Sequence, residues 1–111
     1  MLAFYLSEIE NKDDKQKFEK IYLQYQKDMF VIANKILRNK ENAEDAVQDA
    51  VVLIMHNLDK IEDVYAKSTV NYIRIIVKNR ALQIYNQLKK EEKLLKENIL
   101  EQEMIERRPS I

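Results

Sequence analysis

The sequence predicts an all-α fold, a compact bundle of three main helices in which the C-terminal helix is long. The 111-residue chain has no glycine and one proline, so it lacks the residues that tight strand connections usually require. Residues with high helix propensity are abundant, and apolar residues recur at intervals of three and four positions. With 46% hydrophobic residues, the chain can fill one modest core.

The first main helix is predicted to follow Asp13 or Asp14, either of which can act as its N-cap. It is expected to end near Arg38, with Asn39 in the left-handed conformation that often terminates a helix. The residues that recur at helical spacing predict its buried face. They are Phe18, Ile21, Tyr22, Tyr25, Met29, Ile32, Ala33 and Ile36.

The second helix is predicted to start at Glu41 or Asn42. The apolar pattern of this helix is broken at residues 59–67, which are predicted to form a loop with at most one short turn. The apolar residues before this loop share one helical face, which predicts burial. They are Ala43, Ala46, Val47, Ala50, Val51, Ile54 and Leu58.

The third helix is predicted to be capped by Ser68 or Thr69, and the chain stays compatible with a helix up to Arg107. Beyond Lys90 the sequence is charged and has a thinner apolar stripe, which can pack back on the bundle or fray. The predicted buried face of this helix consists of Val70, Ile73, Val77, Ala81, Ile84, Tyr85 and Leu88.

These elements divide the chain into an N-terminal extension at residues 1–12, a helical domain at residues 13–90 and a helical linker or tail at residues 91–111. The sequence contains no cysteine, and its start lacks the basic lead and cleavage site of a secretion signal. No apolar run approaches the roughly 20 residues that span a bilayer. We therefore expect a cytoplasmic protein without a membrane partner.

Enzyme and cofactor chemistry have little support in the sequence. His56 is the only histidine, no glycine is available for a phosphate-binding loop, and none of the serines has a nearby base. Glu44, Asp45 and Asp49 spread over a wide polar arc, as expected of a surface rather than a catalytic cluster. We predict no catalytic residue, no metal ligand and no cofactor.

The outer face of the second helix combines acids with apolar residues. At helical spacing, Asp45, Gln48, Asp49 and Val52 lie on one side, opposite the predicted core. One interpretation is an ordinary charged face that carries stray apolar residues, or a second packing surface for the amino terminus, and spacing alone favours it. The other is a docking patch with an apolar centre and an acidic ring, suited to a basic partner.

The outer face of the third helix is rich in amides and basic residues. No acid occurs between Asp63 and Glu91, whereas net charge over the whole chain is zero. Amides can read base edges, basic groups bind phosphates and aromatic rings stack on unpaired bases. A solvated face accounts for this composition equally well. The face contains Tyr72, Ile76, Asn79, Arg80, Gln83, Asn86, Gln87 and Lys90.

Three segments, in this order, resemble the second conserved region of the sigma-70 family of transcription factors, especially its extracytoplasmic-function group. Residues 25–39 are similar to the first core helix of that region. Asn-Ala-Glu-Asp-Ala-Val-Gln-Asp at residues 42–49 resembles its acid-rich signature, and Tyr-Ile-Arg-Ile-Ile-Val-Lys-Asn-Arg-Ala-Leu at residues 72–82 resembles the segment that follows. The resemblance extends from about Phe18 to Lys90.

The resemblance implies a protein without catalysis that joins core RNA polymerase to promoter DNA and helps to melt the minus-ten element. Asp45, Gln48 and Asp49 then become candidates for docking on the coiled coil of the largest polymerase subunit, with Val52 as the apolar contact. The third helix and its preceding loop would recognise the minus-ten element, with Asn79 reading an unstacked base. The remaining DNA-binding candidates are Tyr72, Arg74, Lys78, Arg80, Gln83 and Lys89.

The sequence departs from the family pattern at three positions. Tyr72 stands where Trp is usual, and Thr69 stands where Phe is usual. Gln83 stands where an acid or Asn is common, so the promoter preference cannot be carried over. The resemblance does not include the family's helix-turn-helix domain, which reads the minus-thirty-five element. We expect an excised domain, or a separate chain that supplies this function, and an anti-sigma factor is a further candidate partner. The alternative is a helical adaptor or regulator that does not contact DNA.

Overall fold

The computed structural model describes residues 1–107, in which four α-helices and no strands occur. They are α1 (Leu2–Ser7), α2 (Lys12–Leu37), α3 (Lys40–Met55) and α4 (Lys67–Glu106), with a 3₁₀ turn at Leu58–Lys60. The predicted all-α class is confirmed. The last four residues of the predicted tail, Pro109 among them, lie outside the described residues.

Helices α2, α3 and α4 pack on one another around a single core, which confirms the predicted bundle. Phe18, Met29 and Ile54 are among its largest fully buried side chains. Four alanines in the core are also completely buried: Ala33, Ala43, Ala46 and Ala81. Because α4 continues far beyond this core, the molecule measures 75 × 27 × 21 Å.

The residues that cap α2 and α3 differ from those predicted. Asn11, and not Asp13 or Asp14, caps α2: its side chain accepts hydrogen bonds from both of their backbone N–H groups, at 2.8 and 3.1 Å. The two acids instead occupy the first turn, where negative charge favours the helix dipole. At the other end Arg38, and not Asn39, is left-handed with φ 50°, because Asn39 is extended and caps α3.

The start of α4 also differs from the prediction. Its N-cap is Ala66, which has no capping side chain, so neither Ser68 nor Thr69 caps the helix. Thr69 is buried within the first turn and donates its hydroxyl to the Asp63 carbonyl at 2.6 Å. The Thr69 hydroxyl therefore bonds the preceding loop instead of capping the helix.

Both chain ends extend the bundle. In residues 1–12, α1 packs on α2, and Tyr5 and Ile9 are buried in the core. At the other end, α4 neither packs back on the bundle nor frays, and residues 91–107 are helical up to Glu106 and exposed. Within residues 1–107, no helix is both long and apolar enough to cross a membrane.

Candidate protein and nucleic-acid interface

All four docking candidates on α3 are exposed. Asp45, Gln48, Asp49 and Val52 lie on the side of the helix opposite Ala43, Ala46 and Ala50, which are buried. The predicted division of α3 into a core face and an outer face is therefore correct. The docking role itself stays a prediction.

Leu53 belongs to the same surface and was not predicted. Its side chain is 49% exposed beside Val52, and it lines a groove between α3 and α4. The groove also contains Ile76, and an apolar floor of this kind suits an apolar side chain of a partner. The signal in the sequence was an apolar residue four positions after Asp49, on the same side of the helix.

The groove brings the two predicted surfaces together. Arg80 on α4 donates a hydrogen bond from Nε to Oδ2 of Asp49 on α3 at 2.7 Å, and both side chains are 45% exposed. Arg80 also donates from Nη1 to Oε1 of Gln83 at 2.8 Å. Asn79 lines the same groove. One polymerase-binding candidate and three DNA-binding candidates therefore share one surface.

Three residues of α4 were assigned to the wrong face. Ile76 was predicted to point outward, but it is buried because α3 covers that side of α4. Tyr85 and Leu88 were predicted to be core residues, but they are 40% and 38% exposed because they lie beyond the end of the three-helix contact. The exposed residue on the outer face is Ile75, at 57%.

The other basic candidates are exposed but lie elsewhere on α4. Successive residues are separated by about 100° around an α-helix, so Lys78 points well away from Asn79. Lys89 lies over the Tyr85 ring, with Nζ 5.6 Å from the ring centroid, and is 3.7 Å from a Glu92 carboxylate oxygen. The structure thus separates Lys78 and Lys89 from the amide groups around Arg80.

Tyr72 is half-buried and faces the loop before α4. It lines a groove with Asp59, Glu62 and Asp63, so one wall of this groove is acidic. Tyr65 in the same loop is 63% exposed and was not predicted as a site residue. A single aromatic residue within a polar loop is the signal that could have identified it.

Two hydrogen bonds hold this loop in place. Buried Tyr25 donates its hydroxyl to the Val64 carbonyl at 2.6 Å, and the Thr69 hydroxyl bonds the Asp63 carbonyl. Burial raises the pKa of Tyr25, and the nearby Tyr65 and Asp63 raise it further, so the hydroxyl remains a donor. The loop and the start of α4 are therefore anchored to α2.

The described residues offer no metal centre. Within residues 1–107, no group of three or more His, Asp or Glu side chains is arranged to hold a metal ion. What the structure does present is a pair of adjoining exposed faces on α3 and α4.

Comparison with protein families identifies the family of this helical domain. The family model described as Sigma-70 region 2 matches residues 21–91. The chain belongs to the sigma-70 family, whose members are transcription initiation factors without catalytic activity. No curated protein matched the chain, and no solved structure did either. The matched residues contain the whole of α3 and both exposed faces.

Proposed function

We propose that this domain joins core RNA polymerase to promoter DNA and helps to melt the minus-ten element. The observation that carries the proposal is the shared groove, in which Asp49 and Leu53 of α3 adjoin Asn79, Arg80 and Gln83 of α4. It lies within the residues that the family model matches. Polymerase bound to one wall would hold DNA close to the other.

On the polymerase side, the outer face of α3 would dock on the coiled coil of the largest subunit. Asp45 and Asp49 supply negative charge for a basic partner, and Gln48 supplies hydrogen bonds. Val52 and Leu53 add an apolar centre that is 39% and 49% exposed, respectively. Acids around apolar residues suit a partner helix with basic and apolar side chains.

On the DNA side, α4 and its preceding loop would hold the unpaired strand. Asn79 and Gln83 offer amide groups for base edges, and Tyr65 and Tyr72 offer rings for stacking. Arg74, Lys78 and Lys89 would contact phosphates from the other side of the helix. A base held outside the stack stabilises the melted state, so binding itself would favour promoter opening.

Further features of the proposal follow from the same role. Residues 13–90 would form the functional domain, with residues 1–12 as an extension and 91–111 as a linker or tail. The protein would act in the cytoplasm, where polymerase and promoter meet. Another chain, or another part of a longer protein, would read the minus-thirty-five element, and an anti-sigma factor is a candidate regulator.

Capture of purified bacterial core polymerase by the immobilised protein tests the docking face. Because Asp49 also contacts Arg80, Asp49→Arg alone could act through α4. Asp45→Arg and Val52→Glu are therefore tested beside it. Glu19→Arg is the matched control, because Glu19 is exposed on α2, away from the proposed docking face. We expect capture by the wild type and the control, and loss in all three face variants.

The other results have distinct meanings. If only Asp49→Arg loses capture of polymerase, the effect belongs to the contact between α3 and α4. The outer face of α3 would then not be the docking face. No capture of the folded wild type would reject the polymerase role. Capture without any role in binding promoter DNA would favour the helical adaptor.

A further inference from the structure

A second groove lies between the end of α2 and the middle of α4, apart from the groove that contains Asp49. Its volume is about 630 Å³, which is enough for several side chains of a partner. The floor is apolar, and the three residues that α4 contributes to it are between 38% and 40% exposed. Nothing in residues 1–107 covers this floor. It consists of Ile36, Leu37, Leu82, Tyr85 and Leu88.

The rim of this groove is basic. Lys35 and Arg38 at the end of α2 and Lys89 on α4 supply positive charge. Neither Lys35 nor Arg38 forms an ion pair with another of residues 1–107. The one acid among the described residues that line the groove is Glu92, whose carboxylate already lies 3.0 Å from Lys96 and 3.7 Å from Lys89. The groove therefore has an excess of positive charge around an apolar floor.

One narrow strip of α4 combines both features. Its four residues follow one another at intervals of four, three and four positions, which keeps them within about 60° around the helix. The two apolar residues lie in the middle and a lysine lies at each end, roughly 17 Å apart along the axis. Such a strip matches about three turns of a partner helix that has acidic residues around an apolar centre. Its residues are Lys78, Leu82, Tyr85 and Lys89.

We propose that this groove binds an amphipathic helix of another protein, with acidic residues beside its apolar stripe. The apolar side chains would fill the floor, and the acids would pair with Lys35, Arg38 and Lys89. The strip lies on the opposite side of α4 from Arg80, so a bound helix leaves the outer face of α3 free. The binding does not depend on the proposed function; only the resulting competition with DNA for Lys78 and Lys89 rests on it.

The floor of the groove distinguishes a protein partner from a nucleic acid. Single strands bind in basic grooves by stacking their bases on aromatic rings. Tyr85 is the one aromatic residue among the described residues that line the groove, and Lys89 Nζ lies over its ring, 5.6 Å from the centroid. The other floor residues are aliphatic, and a phosphate backbone would leave them exposed to water. These observations favour an apolar helix with acidic flanks.

Fluorescence anisotropy with a designed peptide tests the proposal. The peptide is a labelled helix of about four turns, with leucines along one side and glutamates beside them. One comparison peptide has lysine in place of every glutamate, and another has the same composition in scrambled order. We expect the wild-type protein to bind the glutamate peptide at least about tenfold more tightly than either of them. Equal or weaker binding of the glutamate peptide would overturn the proposal.

A charge in the floor should weaken this binding. Leu82→Glu should raise the dissociation constant of the glutamate peptide about tenfold or more, because the new carboxylate would enter the apolar contact. Leu23→Glu is the matched control, since Leu23 is 57% exposed on α2 and does not line the groove. Denaturation midpoints check that both variants are folded. Equal affinities of the two variants for the peptide would contradict the assignment of the groove.

Reversal of the rim charge should reverse the preference. The triple variant Lys35→Glu, Arg38→Glu and Lys89→Glu changes three bases and one acid into four acids, so it should bind the lysine peptide more tightly than the glutamate peptide. All three side chains are exposed, so the fold should tolerate the changes. An unchanged preference, or binding of neither peptide, would contradict the proposal. A control with the same change in net charge should keep the original preference, and it substitutes three exposed lysines of α2 outside the groove: Lys12, Lys20 and Lys27.

Labelled single-stranded DNA of random sequence tests the other class of partner. Any DNA that binds elsewhere on α4 should bind equally well to the wild type and to Leu82→Glu, whereas the glutamate peptide should lose affinity for the variant. DNA binding that falls in Leu82→Glu, together with failure of the glutamate peptide to bind the wild type, would assign the groove to nucleic acid and overturn the proposal.

Discussion

The Arg80 guanidinium on α4 is bonded to the Asp49 carboxylate on α3, with Nε and Oδ2 2.7 Å apart. This ion pair crosses the groove between the predicted polymerase-binding face and the predicted DNA-binding face. Asp49 is therefore not a free acid on the docking surface, and Arg80 is not a free base on the DNA surface. Substitution of either residue exposes the charge of the other.

A double-mutant cycle on Asp49→Ala and Arg80→Ala should give a coupling of about 0.5 kcal/mol in the free energy of unfolding. The value is small because both side chains are 45% exposed and water screens their charges. Urea denaturation of the wild type, both single variants and the double variant measures it. A coupling above about 2 kcal/mol would mean that the ion pair is structural, and its substitutions could no longer be interpreted as effects on binding.

Tyr25→Phe should lower the free energy of unfolding by about 1–2 kcal/mol, because the buried Val64 carbonyl loses its hydrogen-bond donor. Tyr85→Phe, at an exposed position, is the control and should have little effect. Denaturation midpoints compare the two. Equal midpoints for Tyr25→Phe and the wild type would indicate that the hydroxyl does not anchor the loop.

The raised pKa of Tyr25 adds a pH dependence to this prediction. The neutral phenol is favoured in the folded state, so its stabilisation is fully present below the unfolded pKa of about 10 and is lost as the pH rises through the folded pKa. The free energy of unfolding should therefore fall at pH above about 10, and less steeply in Tyr25→Phe. Parallel curves for the two proteins would contradict this assignment.

Tyr5→Ala should lower the free energy of unfolding by about 3 kcal/mol, because Tyr5 is buried and packs edge-on against Phe18, with ring centroids 5.9 Å apart. Phe4→Ala is the matched control on the same short helix, since Phe4 is 61% exposed. Thermal or urea denaturation distinguishes them. A loss below about 1 kcal/mol for Tyr5→Ala would show that α1 contributes little to the core.

Arg38→Gly should raise the free energy of unfolding by about 0.5 kcal/mol. Arg38 has a left-handed backbone with φ 50°, which disfavours any residue that has a Cβ atom, although glycine also makes the unfolded chain more flexible. Arg38→Ala keeps the Cβ atom and serves as the control. If glycine is no more stable than alanine at this position, the left-handed conformation carries no cost.

The sequence predicted the three main helices and most of their buried faces because apolar spacing determines which side of a helix is buried. It did not predict α1, which lies in the N-terminal extension. It failed where burial depends on the neighbouring helix. Ile76 is buried because α3 crosses there, and Tyr85 is exposed because the bundle ends before it. Helix ends failed for a related reason: an Asn and an Asp are equally good caps in isolation, and only the path of the chain selects Asn11.

In the candidate site, too, features set by one helix were predicted, whereas contacts between helices were not. The outward direction of Asp45, Gln48 and Val52 follows from their spacing on one helix, and the structure places them accordingly. The contact between Asp49 and Arg80 could not be predicted, because it depends on the distance between α3 and α4 across the groove. Leu53 and Tyr65 were missed because one exposed apolar residue in a sequence looks like any other.

The most direct test of the proposed function asks whether the protein gives core polymerase affinity for the unpaired minus-ten strand. Labelled single-stranded minus-ten DNA is mixed with core polymerase in the presence or absence of the protein, and fluorescence anisotropy reports binding. We predict DNA retention only when the protein is present. The variant Asn79→Ala, which keeps the ion pair between Asp49 and Arg80, should still bind polymerase but should retain far less DNA. A wild-type protein that binds polymerase without increasing DNA retention would contradict the account.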